Sequence, residues 1–144
     1  MKEQFVPYEI AKDLKSKEYD QPCFGVYGYN MSGYESASER ERLVQIQEIS
    51  LTESYTLEFE DLRNSKIGED VSAPLLQEAI DWFESKGIMI EISIDKTTYP
   101  RYRFCIHKYD FTWGWEPHQP SEGFLYSTRR AATVEAIKEA IKLI

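Results

Sequence analysis

One continuous stretch, Ser72 to Ile94, most constrains what this chain can fold into, because a helix and then a strand follow one another in it. Ser72 is a residue type that caps helices, and Pro74 suits a first turn, where a missing N–H costs nothing. Apolar residues at i, i+3, i+4 and i+7 then predict a helix with one buried face. Gly87 can adopt the left-handed conformation that ends a helix. The apolar positions are Leu76, Ala79, Ile80 and Phe83.

After this helix the period switches to strict alternation. Ile88–Ile94 has an isoleucine at every second position, which predicts a half-buried strand, and Arg101–Tyr109 alternates in the same way. Folding the intervening turn about Thr98 places the apolar residues of both strands on one face and the polar residues on the other. The predicted pairs are Ile94 with Tyr102, Ile92 with Phe104, Ile90 with Ile106, Asp95 with Arg101, and Glu91 with Cys105. The sequence therefore predicts an antiparallel hairpin.

The remaining elements follow from weaker patterns. We expect a short helix over Pro7–Lys17, a loop from Asn30 to Arg42, and a C-terminal helix that Ser127 or Thr128 caps. The other strand candidates are Cys23–Tyr29, Leu43–Ile49, Ser54–Glu60 and a short one at Phe124–Tyr126. The C-terminal helix has a predicted buried stripe of Val134, Ile137, Ile141 and Ile144. The order α-β-β-β-α-β-β-(β)-α predicts a single α+β domain over residues 1–144, a mainly antiparallel sheet with about three helices packed on one face.

Composition narrows the function classes. The formal net charge of −8 argues against nucleic-acid binding, which needs clustered Lys and Arg to neutralise phosphates. No run approaches the roughly 20 apolar residues that span a bilayer, so no membrane association is expected. Met1 leads into no apolar signal segment, and two cysteines, Cys23 and Cys105, are expected as free buried thiols. We therefore expect a soluble protein in the cytoplasm.

Several segments resemble a family of small proteins of unknown function encoded in phages, prophages and mobile elements associated with gut Bacteroidetes. The segments are F-V-P-Y-E-I-A-K-D-L-K at Phe5–Lys15, Q-P-C-F-G-V-Y at Gln21–Tyr27, A-P-L-L-Q-E-A-I-D-W-F-E-S-K-G-I at Ala73–Ile88, and the closing helix after Tyr126. The resemblance covers nearly the full length in the same order. It implies a genomic setting, and it brings no activity, cofactor or catalytic residue.

One polar cluster on the predicted hairpin is a candidate for chemistry. Cys105 and His107 share a strand face, and the predicted register places Glu91 opposite Cys105. A thiol, an imidazole and a carboxylate can converge there, as in a small hydrolase or a ligand- or metal-binding protein. In the simpler alternative, these residues form an ordinary sheet face of polar and small side chains without a function of their own. The chain lacks the usual spacings of metal-binding and nucleotide-binding motifs, so no catalytic residue, metal or cofactor is predicted.

The best candidate for binding is the segment 109–118, expected as part of an aromatic loop from Asp110 to Gly123. Large aromatic side chains bring much contact area at low rotamer cost, which is why they dominate binding hot spots. The candidate partner-binding residues are Tyr109, Phe111, Trp113, Trp115 and His118. In the alternative, these rings fold back over the sheet as a lid on the core.

A second surface candidate is the acidic region from Glu35 to Asp70, where carboxylates can imitate DNA, although basic residues interrupt them. Solvated loops and strand faces are the simpler interpretation. The sequence favours a non-enzymatic protein-interaction module of phage or mobile-element origin, with an unidentified protein partner. The exposed edges of a small sheet also leave room for a homodimer.

Overall fold

The computed structural model describes residues 4–23, 25–27, 43–46, 63–65, 67–96, 101–112, 114–120 and 125–144, with the backbone alone at 43–46 and 115–120. Within these residues the chain forms three helices and six strands. The elements are α1 (Tyr8–Ser16), β1 (Gly25–Tyr27), β2 (Leu43–Ile46), β3 (Val71–Ala73), α2 (Leu76–Ser85), β4 (Ile88–Asp95), β5 (Arg101–Asp110), β6 (Gly114–Pro120) and α3 (Arg129–Ile141). The chain divides into two compact units, Gln4–Leu75 and Leu76–Ile144. The α+β class with three helices is confirmed, and the order of element types agrees with the prediction, but β3 and β6 are not the strands predicted at those places, and the strands form two sheets instead of one. That residues 1–144 form one domain stays a prediction.

The first unit contains a three-stranded antiparallel sheet in the order β2-β1-β3, with α1 packed against β3. Helix α1 confirms the predicted N-terminal helix, with Pro7 at its start and Ile10, Ala11 and Leu14 buried. The Tyr27 hydroxyl donates to the carbonyl of Val6 at 2.7 Å. These contacts fix the N-terminal segment by both its apolar face and its backbone.

The beginning of the central helix differs from the prediction. Ser72 does not cap α2: it lies in β3, is 1% exposed, and its N–H donates to Oδ1 of Asn64 at 3.0 Å. The helix begins at Leu76, and the carbonyl of Pro74 instead accepts from the N–H of Val6. A cap-like Ser-x-Pro sequence is therefore used in and after a buried strand, which pairs with β1 and whose Ser72 N–H is bound by the Asn64 side chain.

The second unit contains a three-stranded antiparallel sheet in the order β4-β5-β6. All five predicted cross-strand pairs of the β4–β5 hairpin are confirmed, including Glu91 opposite Cys105. Gly87 has φ +78°, the left-handed conformation expected after α2. Helix α2 packs against β4, and α3 packs against both β4 and β5. Ile88, Ile90, Phe104 and Ile106 are buried on this side of the hairpin.

The aromatic loop prediction for 110–123 is wrong for most of its length, because Gly114–Pro120 forms β6. The two prolines misled the prediction, since proline is rare in sheets except on edge strands and at bulges. Both conditions hold here: β6 is an edge strand, and its register with β5 shifts between Ile106 and His107. Of the strand predicted at Phe124–Tyr126, the structure describes one isolated bridge, between Tyr126 and Tyr102.

Helix α3 confirms its predicted cap, because the Thr128 side chain accepts from the N–H of Ala131 at 3.1 Å. Its buried face is not the predicted branched stripe: Ile137 and Ile141 are buried, whereas Val134 and Ile144 are half-buried. Alanines at a four-residue spacing complete the buried face and allow α3 to approach the sheet closely. They are Ala132, Ala136 and Ala140.

Other predictions lie outside the described residues: the loop 30–42, the strand 54–60 and most of the acidic region 35–70. Cys23 is a buried free thiol as expected, and Cys105 is free but half-buried. No helix in the described part of the chain has both the length and the apolar character needed to cross a membrane.

Candidate functional site

The end of the β5–β6 hairpin presents two exposed aromatic side chains, Tyr109 and Phe111, here called the aromatic pair. Phe111 is 97% exposed and Tyr109 is 43% exposed. The turn that carries Phe111 is fixed locally, because Oδ1 of Asp110 accepts from the N–H of Thr112 at 2.6 Å. Gly114, with φ +79°, then supplies the left-handed residue with which β6 begins. The sequence therefore holds a large apolar ring in water on a defined turn.

The rings of the aromatic pair contact each other edge to face. Their centroids lie 5.5 Å apart and their planes make an angle of 80°. This is one of the preferred geometries of aromatic pairs. The N–H of Tyr109 also donates to the carbonyl of Gly87 at 2.8 Å, so the sheet anchors one member of the pair.

The other predicted binding residues are only partly described. Trp113 lies outside the described residues. Trp115 is in β6 with its backbone opposite Tyr109, and His118 falls at the bulge where β6 shifts register. The structure thus brings Trp115 beside Tyr109 in the ladder. Whether Trp113 and Trp115 join the aromatic pair or cover the core remains a prediction.

The polar cluster of the hairpin lies on the side opposite to α2 and α3. Nε2 of His107 lies 3.5 Å from Oε2 of Glu91, a separation at the limit for a hydrogen bond, and this buried nitrogen makes no hydrogen bond. The contact is therefore an ion pair only when the imidazole is protonated. Arg103, on the same face, pairs with Asp95. The predicted neighbours thus meet, but without the hydrogen bond that a working base needs.

The environment of Cys105 works against a nucleophilic role. Partial burial raises the pKa of its thiol, and the Glu91 carboxylate opposite raises it further. A raised pKa lowers the thiolate fraction at neutral pH, whereas reactive cysteines have a lowered pKa. Among the residues that the structure describes, no group of three or more His, Cys, Asp and Glu side chains is arranged to hold a metal ion.

The exposure of two side chains could not be predicted from the sequence. Ile94 belongs to the apolar alternation of β4, yet it is 51% exposed. Phe111 was a candidate binding residue, but the sequence left open whether its ring is exposed or folded back over the sheet; in the structure the ring is exposed.

Comparisons of this chain with protein-family models, curated proteins and solved structures find no match.

Proposed function

We propose that this chain is a non-enzymatic protein-interaction module that binds a protein partner through the surface formed by segment 109–118. The observation that supports this proposal most is the exposure of Phe111, 97% in water at the tip of a defined turn. Single exposed apolar residues are common on protein surfaces. Here the two rings of the aromatic pair are in contact, and the backbone of Trp115 lies opposite Tyr109, so one small surface offers much aromatic contact area.

The energetics favour such a role. Complete burial of a phenylalanine side chain contributes about 1.5–3 kcal/mol. Binding must also offset the ordering of interface side chains, about 0.5–1.5 kcal/mol for each flexible one. The Asp110 turn already fixes the backbone that carries Phe111, which removes part of this cost, while the exposed ring itself is ordered on binding.

The net charge and the resemblance limit the classes of partner that we propose. The net charge of −8 favours a protein surface with basic residues over a nucleic acid. On the strength of the resemblance to proteins of phages and mobile elements of gut Bacteroidetes, we propose a partner from the cytoplasm of such a cell. A hydrolase or ligand-binding role for Glu91, Cys105 and His107 is the second candidate. The raised thiol pKa speaks against it, and full function in a Cys105→Ser protein would remove it.

The experiment is affinity capture of the tagged protein from a lysate of gut Bacteroidetes cells, with and without nuclease, followed by mass spectrometry. Wild-type protein is compared with Phe111→Ala and with Leu125→Ala, a control that truncates a different exposed apolar residue, 38% exposed. We expect a nuclease-resistant partner that wild type and the control retain and Phe111→Ala loses.

Trp115→Ala tests whether the Trp115 indole belongs to the binding surface. If the indole contributes to the surface, the variant loses the partner and keeps its melting temperature. Equal capture by wild type and Phe111→Ala would contradict the proposal, as would a partner that disappears with nuclease.

A further inference from the structure

The outer edge of β4 exposes backbone groups that no strand pairs with in the described part of the chain. β4 is the first strand of the order β4-β5-β6 and pairs with β5 alone. The hydrogen bond from the N–H of Tyr109 to the carbonyl of Gly87 identifies Gly87 and Tyr109 as a bonded pair. Bonded and non-bonded pairs alternate along an antiparallel ladder. The N–H and C=O groups that point away from β5 therefore belong to Ile88, Ile90, Ile92 and Ile94.

This edge becomes accessible toward its C-terminal end. Ile88 is 1% exposed, Ile90 is 8% exposed and Ile94 is 51% exposed. Natural edge strands are usually protected by proline, by lysine or by a bulge. The sequence of β4, I-M-I-E-I-S-I-D, contains neither proline nor lysine, and its pairing with β5 is regular throughout. An unprotected β-branched strand of this kind is a template for another strand.

We propose that the occupant of this edge is a second copy of this chain, with the two β4 strands antiparallel about a two-fold axis at Ile92. Two-fold symmetry makes self-pairing strands antiparallel, and the same patch serves both copies. The paired stretch is Ile90–Ile94, which ends at the exposed Ile94. The bonded pairs at Ile90, Ile92 and Ile94 would add about six backbone hydrogen bonds.

An axis at Ile90 would centre the pairing on the buried end of the strand, which leaves four registers, with axes from Glu91 to Ile94. Charge excludes two of these four. An axis at Glu91 places two Glu91 carboxylates directly opposite each other. An axis at Ser93 places Glu91 opposite Asp95 twice. Like charges directly opposite across a ladder are destabilising. In so acidic a chain these two arrangements are disfavoured.

Apolar pairing decides between the remaining two registers. An axis at Ile94 pairs Ile92 with Lys96 and leaves Ile90 outside the ladder. An axis at Ile92 pairs Ile90 with Ile94 of the second copy and Ile92 with itself, so that the exposed Ile94 is covered by isoleucine. On the other face it sets Glu91 opposite the uncharged Ser93. Among the registers that keep like charges apart, only this one sets Ile90, Ile92 and Ile94 all opposite isoleucine.

The first test is the mass of the purified protein by sedimentation equilibrium, from about 1 µM to about 1 mM, the range of weak to moderate affinities. Wild type should approach twice 16.9 kDa as the concentration rises. Ile94→Lys should remain a monomer, because a lysine at the edge blocks pairing. Leu125→Lys, a matched change at another exposed apolar residue, should dimerise like wild type. Circular dichroism verifies that each variant is folded.

The second test reads the register by cross-linking in a background with Cys23→Ala and Cys105→Ala. Glu91 and Ser93 of the second copy form a non-bonded pair, whose Cα atoms lie about 4.5 Å apart, within the range of a disulfide. A mixture of Glu91→Cys and Ser93→Cys proteins should cross-link several-fold more than either protein alone. Stronger cross-linking of Glu91→Cys or of Ser93→Cys with itself would overturn the register.

A wild-type protein that stays monomeric throughout the range would overturn the proposal, including the case in which the edge takes a different protein's strand. Dimerisation that survives Ile94→Lys would overturn it as well. The inference does not depend on the aromatic pair, so Phe111→Ala should dimerise like wild type. An experiment that contradicts the dimer at the β4 edge can therefore be distinguished from one that contradicts partner binding through the aromatic pair.

Discussion

The hairpin β4–β5 with α2 and the segment 63–75 are held in place by different means. In the hairpin, apolar residues repeat at the period of the element and are buried on one side. In the segment 63–75, single polar groups bind the backbone across long sequence separations. Nδ2 of Asn64 donates to the carbonyl of Tyr19 at 2.6 Å, and Nζ of Lys15 donates to the carbonyls of Gly68 and Asp70.

This difference determines which parts of the molecule a pattern reveals. Periodic burial can be recognised in the sequence, because every buried position of the element requires an apolar side chain. Each such position also tolerates another apolar residue of similar size. A bond from one side chain to a distant carbonyl leaves no period. Its loss nevertheless removes a hydrogen bond from a backbone group, which costs more the more that group is buried. The stability of the hairpin with α2 should thus depend on side-chain volume. The stability of the segment 63–75 should depend on the hydrogen bonds that single side chains can make.

The largest expected effect compares two phenylalanines of the second unit. Phe83, in α2, is fully buried and packs edge to face against Trp82 at 5.1 Å, whereas Phe111 is 97% exposed. Phe83→Ala should lower the free energy of unfolding by about 3–5 kcal/mol, through lost burial and the cavity left behind. Phe111→Ala should change it by less than about 0.5 kcal/mol. Urea denaturation measures both, and equal losses would contradict the assignment of Phe111 to the surface.

An intermediate effect is expected at Asn64, which also accepts from the N–H of Ser72 at 3.0 Å. Asn64→Ala removes both bonds and should lower the free energy of unfolding by about 1–3 kcal/mol. Asn64→Asp keeps an acceptor for Ser72 but sets a carboxylate oxygen against the Tyr19 carbonyl in place of the donor, so its loss should be at least as large. A clearly smaller loss in Asn64→Asp than in Asn64→Ala, measured by urea denaturation, would contradict the bond from Nδ2 to Tyr19.

The smallest effect concerns Cys105, whose pKa is raised first by partial burial and then by Glu91. In a Cys23→Ser background, the pH dependence of iodoacetamide alkylation should give a thiol pKa above the ordinary value. Glu91→Gln should lower that pKa without restoring it fully. Because the pKa is higher in the folded state, the related stability is present below the unfolded pKa and is lost as pH rises through the folded pKa. An unchanged alkylation profile in Glu91→Gln would contradict the contact.

The hairpin illustrates how far the sequence could lead. The register of Ile92 with Phe104 and of Glu91 with Cys105 follows from alternation on both strands, since a one-residue slip would turn every isoleucine to the wrong face. The cap at Thr128 follows from local chemistry in the same way. Ser72 shows the limit, because its cap-like setting is overridden by pairing with β1, a contact between residues far apart in the sequence.

The residues of the candidate site could be predicted from the sequence, but their secondary structure and exposure could not. The aromatic residues of segment 109–118 can be read from the sequence, and the structure brings the rings of Tyr109 and Phe111 into contact. That β6 would continue through Pro117 and Pro120 was not predictable, because edge position and a bulge are tertiary features. The exposure of Ile94 was likewise not predictable, because the alternation of β4 assigns all its isoleucines to one face and does not say how much of that face is covered.

The most direct test of the central claim is the affinity between this chain and the protein captured with it, measured by calorimetric titration of the purified proteins. Burial of the Phe111 ring at about 1.5–3 kcal/mol corresponds to roughly 10- to 100-fold in the dissociation constant. Phe111→Ala should therefore bind that much more weakly, while Leu125→Ala binds like wild type. Equal affinities for wild type and Phe111→Ala would show that the aromatic pair is not the contact surface.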